Sequence, residues 1–585
     1  MKRTFPLARF DLHRPGFYAL LLLAASLPFE WPGVTLGPLR LTNLELLLAL
    51  VLGLSLASIW QERGWRGRAS CPAGWLWLWA ALAGLMILSA LLAPALNGNA
   101  LKASVRAITG LLLALAIPQL VRRPRDLTWL ALALCGGGLL AAAIGWLEIA
   151  SNTLFPWLDN LREIPTTAGP FRRLSGSFAH ANQAAMYIEA TLPLLLALLW
   201  QAARQRRWFP AGLATVAGLL YLQGSLLTYS RASFVAIGLS SLLVVLLNRR
   251  RLGLIWLGLA GSLLLLVGLN TALNPIFRLR LSSEGDNEWY RLTLTAPETL
   301  TIPAGEVLTT TVTVRNDGFL TWRSSGPNPI YLGAHWYPAS ANKKLGAEPR
   351  WPLPQVVRPG DSVVLSVPVQ APLQPGNYQL EWDMVQEQIV WFSEKNGQHW
   401  TSQVTILPGN AQTLAGLAQD EALQAWQQVV ERPSPLPPIP GRGVLWRIAA
   451  RQFLAHPLLG IGLDNFRLTY GTYLDQSVWN ESVHTNNWYL EMLVSLGVLG
   501  SLPFFAWLLL LGWDMWRKLP RPGTTVWRMA VAAGLLAYLL HGLLDYFLLF
   551  YNTGLLFWLL VGLWISPVVD SPLENVAPPP AEAML

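Results

Sequence analysis

The sequence predicts a mainly α fold: a polytopic membrane bundle of about a dozen helices carrying one large water-exposed β-rich insertion. Three observations predict it. Of 585 residues, 53% are hydrophobic and only 13% charged, about half the charge share of a soluble domain. Apolar runs recur at the ~20-residue length that crosses ~30 Å of hydrocarbon as a helix. Short arginine clusters then follow every second run, the pattern that orients membrane segments. Tryptophan is frequent, at 29 residues, and Trp60, Trp75, Trp200, Trp208 and Trp513 stand at run ends, where an aromatic belt meets the lipid boundary.

In chain order, spans are expected near 16–30, 41–60, 74–93, 101–120, 127–150, 181–201, 209–228, 232–248, 252–273, 486–512, 526–546 and 549–565. Lys2, Arg3, Arg9 and Arg14 precede the first, which lacks an obvious small-residue cleavage site and reads as an anchor. Arg63, Arg66 and Arg68, then Arg122, Arg123 and Arg125, then Arg204, Arg206 and Arg207, then Arg249, Arg250 and Arg251, and finally Arg517, Lys518, Arg521 and Arg528 lie in alternate loops. Those loops and both termini are therefore placed in the cytoplasm of an inner or cytoplasmic membrane protein. The opposite loops are nearly uncharged except in 151–180, with Arg162, Arg172 and Arg173, and in the long segment 274–480. Charge that breaks the orientation rule needs another reason to be there.

The formal charge of +9 is accounted for by these clusters, so no nucleic-acid partner is expected. Two cysteines, Cys71 at a helix start and Cys135 within a span, build neither a disulfide framework nor a metal motif. The chain divides into helices 1–9 (1–273), an extracytoplasmic insertion (274–440), a polar loop (441–485), helices 10–12 (486–570) and a disordered tail (571–585).

Within the insertion, 288–407 reads as short strands: RLTLTA, TTTVTVRND, IYLGAHWY, SVVLSVPV, YQLEWDMV and SQVTIL, separated by turns such as Pro359-Gly360-Asp361 and Pro375-Gly376-Asn377. Their alternation predicts a small β-sandwich, and NDGFLTW and PGDSVVLSVPVQAPLQPGNYQLEW resemble immunoglobulin-like extracellular modules. Trp322, Trp336, Trp382 and Trp391 are placed in its core, with sugar stacking as the rival role. Residues 411–431 fit an amphipathic helix and 432–440 (RPSPLPPIP) a stiff linker.

Polar chemistry gathers in three segments that the topology puts on one face: RRLSGSFAHANQAAMY (172–187), LTYSRASF (227–234), and GRGVLWRIAARQFLAHPLLGIGLDNF (441–466) with VHTNNWYLEMLVSLGVLG (483–500). An arginine at a membrane face is costly unless it meets an anion or a wet cavity, and its fork suits phosphate oxygens. A histidine can accept the proton of an attacking hydroxyl. Each residue also has a plain structural reading. Arg231 fits a helix end or headgroup contact, and Arg442 a solvated charge beside the linker, with Arg447 one turn on as an almost equal candidate. His484 fits a cap beside Asn486 and Asn487. His180 and Asn182 fit a closed loop, and Arg172 and Arg173 fit lipid headgroups. His456, Gly460 and Gly462 read as structural, Asp464 and Asp475 as surface carboxylates, and His541 and Asp545 as a polar pair on one helical face.

These segments resemble the O-antigen ligase and O-antigen polymerase family of membrane glycosyltransferases. The resemblance rests on Gly176-Ser177-Phe178-Ala179-His180-Ala181-Asn182, Ser230-Arg231-Ala232, Arg442 to Trp446 followed by His456-Pro457-Leu458-Leu459-Gly460-Ile461-Gly462, and His484-Thr485-Asn486-Asn487. It covers about 165–275 and 441–565, and leaves the sandwich as an insertion. The family's last motif carries a second histidine where this chain has Asn486. The resemblance implies a GT-C-like bundle and transfer of a glycan from a polyprenyl diphosphate to a hydroxyl of lipid A core, another glycan or a protein. The transfer would be inverting, with no metal and no cofactor. His484, Arg231 and Arg442 would be catalytic, and Arg172, Arg173, His180, Asn182, Arg447 and Asn487 would bind substrate. Ligase, polymerase and protein O-oligosaccharyltransferase share this core. Two readings of other classes remain: a lipid-linked sugar transporter or flippase, against which stand the lack of an internal repeat and the gathering of polar groups at one face, and a membrane-anchored carbohydrate-binding protein.

Overall fold

In the computed structural model, residues 12–571 are described apart from 32, 34, 37–38, 63, 66–70, 152, 154, 163–166, 170, 249–252, 284–285, 327, 340–342, 347, 412–413, 415–416, 418–428, 432–436 and 549. The basic groups at 63–68 and 249–251, most of the linker and the tail after 571 lie outside the described residues.

The helices run in chain order as α1 His13–Ser26, α2 Asn43–Glu62, α3 Ala73–Leu91, α4 Asn97–Leu120, α5 Pro124–Ser151, α6 Ala181–Arg204, α7 Trp208–Leu227, α8 Arg231–Leu247, α9 Gly253–Leu273, α10 Pro275–Ser282, α11 Arg442–Ala455, α12 Trp488–Lys518, α13 Val526–His541 and α14 Tyr551–Ile565. Among the described residues, eight are long and apolar enough to cross a bilayer, and three shorter apolar helices, α8, α13 and α14, accompany them. All twelve expected spans fall on helices, and α10 and α11 are additional. Leu264 and Leu265 of α9 stay 72% and 64% exposed, as apolar side chains do when their solvent is lipid rather than water. Trp60, Trp208 and Trp513 are likewise exposed, whereas Trp75 is buried against Trp79 and Trp507, with ring centroids 6.1 and 6.0 Å away. Trp75 therefore packs helices together and is no belt residue.

α12 contains a break. Gly497 has φ 62° and ψ −169°, a region essentially reserved for glycine, so the carbonyls of Val494 and Ser495 lose their helical donors. The HPLLGIG stretch supplies replacements. Ile461 N donates to Val494 O (3.0 Å) and Gly462 N to Ser495 O (2.9 Å), while Val498 N donates back to Pro457 O (2.8 Å). Gly460 and Gly462 both have positive φ, and a Cβ on Gly460 would lie 2.4 Å from Val494 O. The expected tight turn is thus a segment docked by its backbone into a broken helix, and it carries Asp464 inward.

The insertion is β-rich. Its strands are β1 Leu292–Thr295, β2 Thr299–Pro303, β3 Val307–Asn316, β4 Ile330–Pro338, β5 Lys343–Leu345, β6 Arg350–Pro352, β7 Ser362–Gln370, β8 Gly376–Gln386, β9 Val390–Trp391, β10 Trp400–Leu407 and β11 Val429–Glu431. One sheet has the order β6-β4-β8-β10-β2, with β9 on β8, and a second the order β7-β3-β1. Every pair is antiparallel except β10 with β2. Alternate residues Val363, Leu365, Val367 and Val369 are buried, as period-two patterning requires. Trp322, Trp336 and Trp382 are core side chains at 0–1% exposure, while Trp391 is half-buried and stacks under Arg350. The helix expected over 411–431 does not reach its end. Val429–Glu431 pairs antiparallel with β5, because a β-branched pair beside an open strand gains more from ladder pairing than from extending a helix.

Candidate functional site

The polar segments meet at the end of the bundle to which the β-rich domain is joined. α6 is capped at its start by His180, whose Nδ1 accepts from Asn182 N (3.0 Å). Burial and the Arg173 guanidinium push the His180 imidazole down to about 4, so it stays neutral and serves as a cap. Asn182 has both side-chain atoms engaged: its Oδ1 accepts from Arg173 Nη2 (2.6 Å) and its Nδ2 donates to Asp545 Oδ2 (2.7 Å). Arg173 Nε also donates to Thr228 O (2.7 Å). Arg173, Asn182 and Asp545 thus form one chain across α6 and the α13–α14 turn, and Arg280 of α10 is close enough to act on His180 by charge.

His541 and Asp545, which their spacing allows to pair, do not bond each other through their side chains: α13 ends at His541, and each turns to a partner on α6. His541 Nδ1 lies 2.8 Å from Glu189 Oε1, both groups fully buried, and Asp545 bonds Asn182. Arg442 heads α11 with an exposed side chain, near enough for its charge to reach His541. Arg447, also exposed, is one turn on. The Trp446 indole N–H donates to Thr485 O (3.0 Å) and binds α11 to the His484 loop.

His484 is buried, at 6% exposure. Its ring meets Tyr546 and Phe550 edge-on at 5.1 and 5.7 Å. Its Nδ1 is 3.5 Å from Glu491 Oε1, and its Nε2 is 3.9 Å from Asp464 Oδ1. Glu491 is fully buried on the first turn of α12, and its Oε2 accepts from Thr485 N (2.9 Å). The cap of α12 is Asn487, which accepts from Leu490 N (2.9 Å) and donates to Leu543 O (2.9 Å). His484 is therefore not the capping group, and Asn487 has a structural use. Asn486, which stands where the resembled motif carries a second histidine, has φ 52°, which asparagine tolerates better than most residues.

Arg231 opens α8, and its Nη1 donates to Ser283 O, which holds the exit of α10. Arg172 lies in a two-residue strand, half-buried, with Nη1 unpartnered. Arg162 is one of the charges that breaks the orientation rule. It pairs with Glu148 of α5 and donates to Ser175 Oγ and Gly176 O (both 2.8 Å), which gives it a structural reason.

Four carboxylates escaped the sequence reading or were set aside by it: Glu189, Glu491, Asp464 and Asp545. Glu189 and Glu491 had a usable signal, because an ionisable group inside an apolar span marks function by default. Asp464, with φ 66°, is held by Arg467 through two hydrogen bonds of 2.7 and 2.8 Å. Among the described residues no three His, Cys, Asp or Glu side chains come together as metal ligands would.

Chemically, the site offers a buried imidazole between two carboxylates, walled by aromatic rings, with guanidinium groups on the adjoining helix starts. Such a group can accept a proton while fixed charge stabilises the imidazolium that results.

A family model described as O-antigen ligase matches residues 403–505, which takes in α11, the HPLLGIG segment, His484, Glu491 and the break at Gly497. A second model, described as the Ig-like domain from next to BRCA1 gene, matches residues 295–396 within the β-rich insertion. A search of the curated proteins returned no match.

Proposed function

We infer that this membrane protein, whose chain carries an O-antigen ligase domain, transfers a glycan from a polyprenyl diphosphate to an acceptor hydroxyl on the extracytoplasmic face. In this reading the chain crosses the inner membrane twelve times with both termini in the cytoplasm, and the insertion is an immunoglobulin-like sandwich. The observation that carries it is His484, held buried between Glu491 and Asp464 within the matched domain.

The chemistry follows from that placement. The acceptor hydroxyl attacks the anomeric carbon from the face opposite the diphosphate and inverts it. The C–O bond to the diphosphate breaks as the new glycosidic bond forms. His484 Nε2 takes the hydroxyl proton, and Glu491 and Asp464 offset the imidazolium charge. Arg231 and Arg442 hold the diphosphate oxygens and balance the charge left on them, supported by the Arg173–Asn182–Asp545 chain. Arg172, His180 and Arg447 line the approach. Polymerase and protein O-oligosaccharyltransferase are the same chemistry with another acceptor, and product length separates them: one transfer for a ligase, a ladder for a polymerase.

The test is transfer in proteoliposomes given a polyprenyl-diphosphate glycan and extracted envelope acceptors. Product from the wild type, lost in His484→Ala, Arg231→Ala and Arg442→Ala, is expected. Full activity in all three variants would refute the assignment. Movement of the lipid-linked donor across the bilayer without bond formation would instead establish a transporter.

A further inference from the structure

A cleft of about 70 Å³ opens beside the site, lined by Asn99, Lys102, Ala103 and Arg106 of α4 and by Asp464 and Arg467. That is well below the ~300–1,000 Å³ of sites that enclose a whole small molecule, and it leaves room for a single small charged group such as a phosphate or carboxylate. It is distinct from the Arg173–Asn182–Asp545 chain: it approaches His484 through Asp464, whereas that chain approaches through Asp545 and the neighbouring Tyr546 ring. His484 thus stands between two groups of cations.

The charges in the cleft do not cancel. Arg467 is matched by Asp464, and Arg106 is matched by Glu45 at 2.8 Å. Lys102 is left over, exposed on the cleft wall. Asn99 pins the floor by donating to Asp464 Oδ2 (3.3 Å) and Asn465 Oδ1 (3.0 Å). In the proposed orientation, Lys102 also lies on the side of the membrane where basic residues are disfavoured, and an anion in the cleft would match its charge.

We propose that this cleft binds an anionic substituent, a phosphate or carboxylate, of the acceptor saccharide and thereby delivers the acceptor hydroxyl to His484. This rests on the glycosyl-transfer reading above. It makes the transferase selective for acidic or phosphorylated acceptors, with the donor diphosphate held on the opposite side of the imidazole.

The test is direct binding, independent of turnover. Full-length protein in zwitterionic phosphatidylcholine nanodiscs is titrated with glucose 6-phosphate and, in parallel, with glucose. Binding of glucose 6-phosphate at least tenfold tighter than glucose is expected, with the preference falling about tenfold in Lys102→Gln and reversing in Lys102→Glu. Equal affinity for the two sugars, or a preference that survives both variants, overturns the proposal. A second arm replaces a third of the lipid with phosphatidylglycerol. If phosphatidylglycerol abolishes sugar-phosphate binding and binds in a Lys102-dependent way itself, the cleft is a headgroup site and the proposal falls. Because no transfer is measured, absence of glycan transfer in proteoliposomes would defeat the functional reading and leave this result standing.

Discussion

Replacing Glu491 by glutamine removes one charge beside His484 and little else. The amide keeps the carboxylate's shape, and its oxygen can still accept from Thr485 N, the bond that shapes the loop at 2.9 Å. What is lost is the attraction between the carboxylate and the imidazolium formed when His484 takes a proton, across 3.5 Å. Two unit charges ~4 Å apart attract by about 4 kcal/mol at an effective permittivity of about 20. The amide dipole and Asp464 recover part of this, leaving about 2–4 kcal/mol, or roughly 30- to 1,000-fold in kcat. The assay is single-turnover transfer in proteoliposomes at saturating donor, with thermal unfolding as a folding control. kcat should fall within that range while the donor KM stays within about threefold. In a His484→Ala background, Glu491→Gln should cost almost nothing more, because the charge it stabilises no longer forms. A kcat within threefold of wild type in a folded Glu491→Gln protein would refute the assignment of Glu491. An undiminished second loss in the His484→Ala background would show that Glu491 acts elsewhere.

Two further outcomes follow from the same geometry. In Gly497→Ala, the new Cβ would lie 2.4 Å from the Leu458 carbonyl group at φ 62°, so about 1–3 kcal/mol of backbone strain adds to a clash. The Tm of the solubilised protein should drop and the HPLLGIG segment should gain protease sensitivity, and an unchanged Tm would contradict the docked break. In the β-rich domain, burial pushes the Asp383 carboxyl up from 3.8 to about 8. Between those values the unfolded chain has released a proton that the folded one keeps, so this group makes stability fall as pH rises. Burial lowers His335 from 6.5 to about 4, which acts in the opposite sense between 4 and 6.5. The net decline should therefore appear between about pH 6.5 and 8 in urea unfolding followed by proteolysis of residues 288–407, and it should vanish in Asp383→Asn.

Hydropathy and residue spacing alone located every helix assigned to a span and all six strand segments, because burial in lipid or in a sheet core leaves a periodic mark on the chain. The polar motifs were legible for the same reason: charge is rare in such a sequence, so Arg173, His180, Arg442 and His484 stand out. Their partners did not. That His541 faces Glu189, that Asp545 bonds Asn182, and that Glu491 and Asp464 flank His484 depend on separations of up to 363 residues along the chain, about which local pattern is silent. The break at Gly497 reads in sequence as a single small residue within an apolar run. Only the docked HPLLGIG backbone, which supplies the amides that the broken helix has lost, decides that the chain bends there and brings Asp464 to His484.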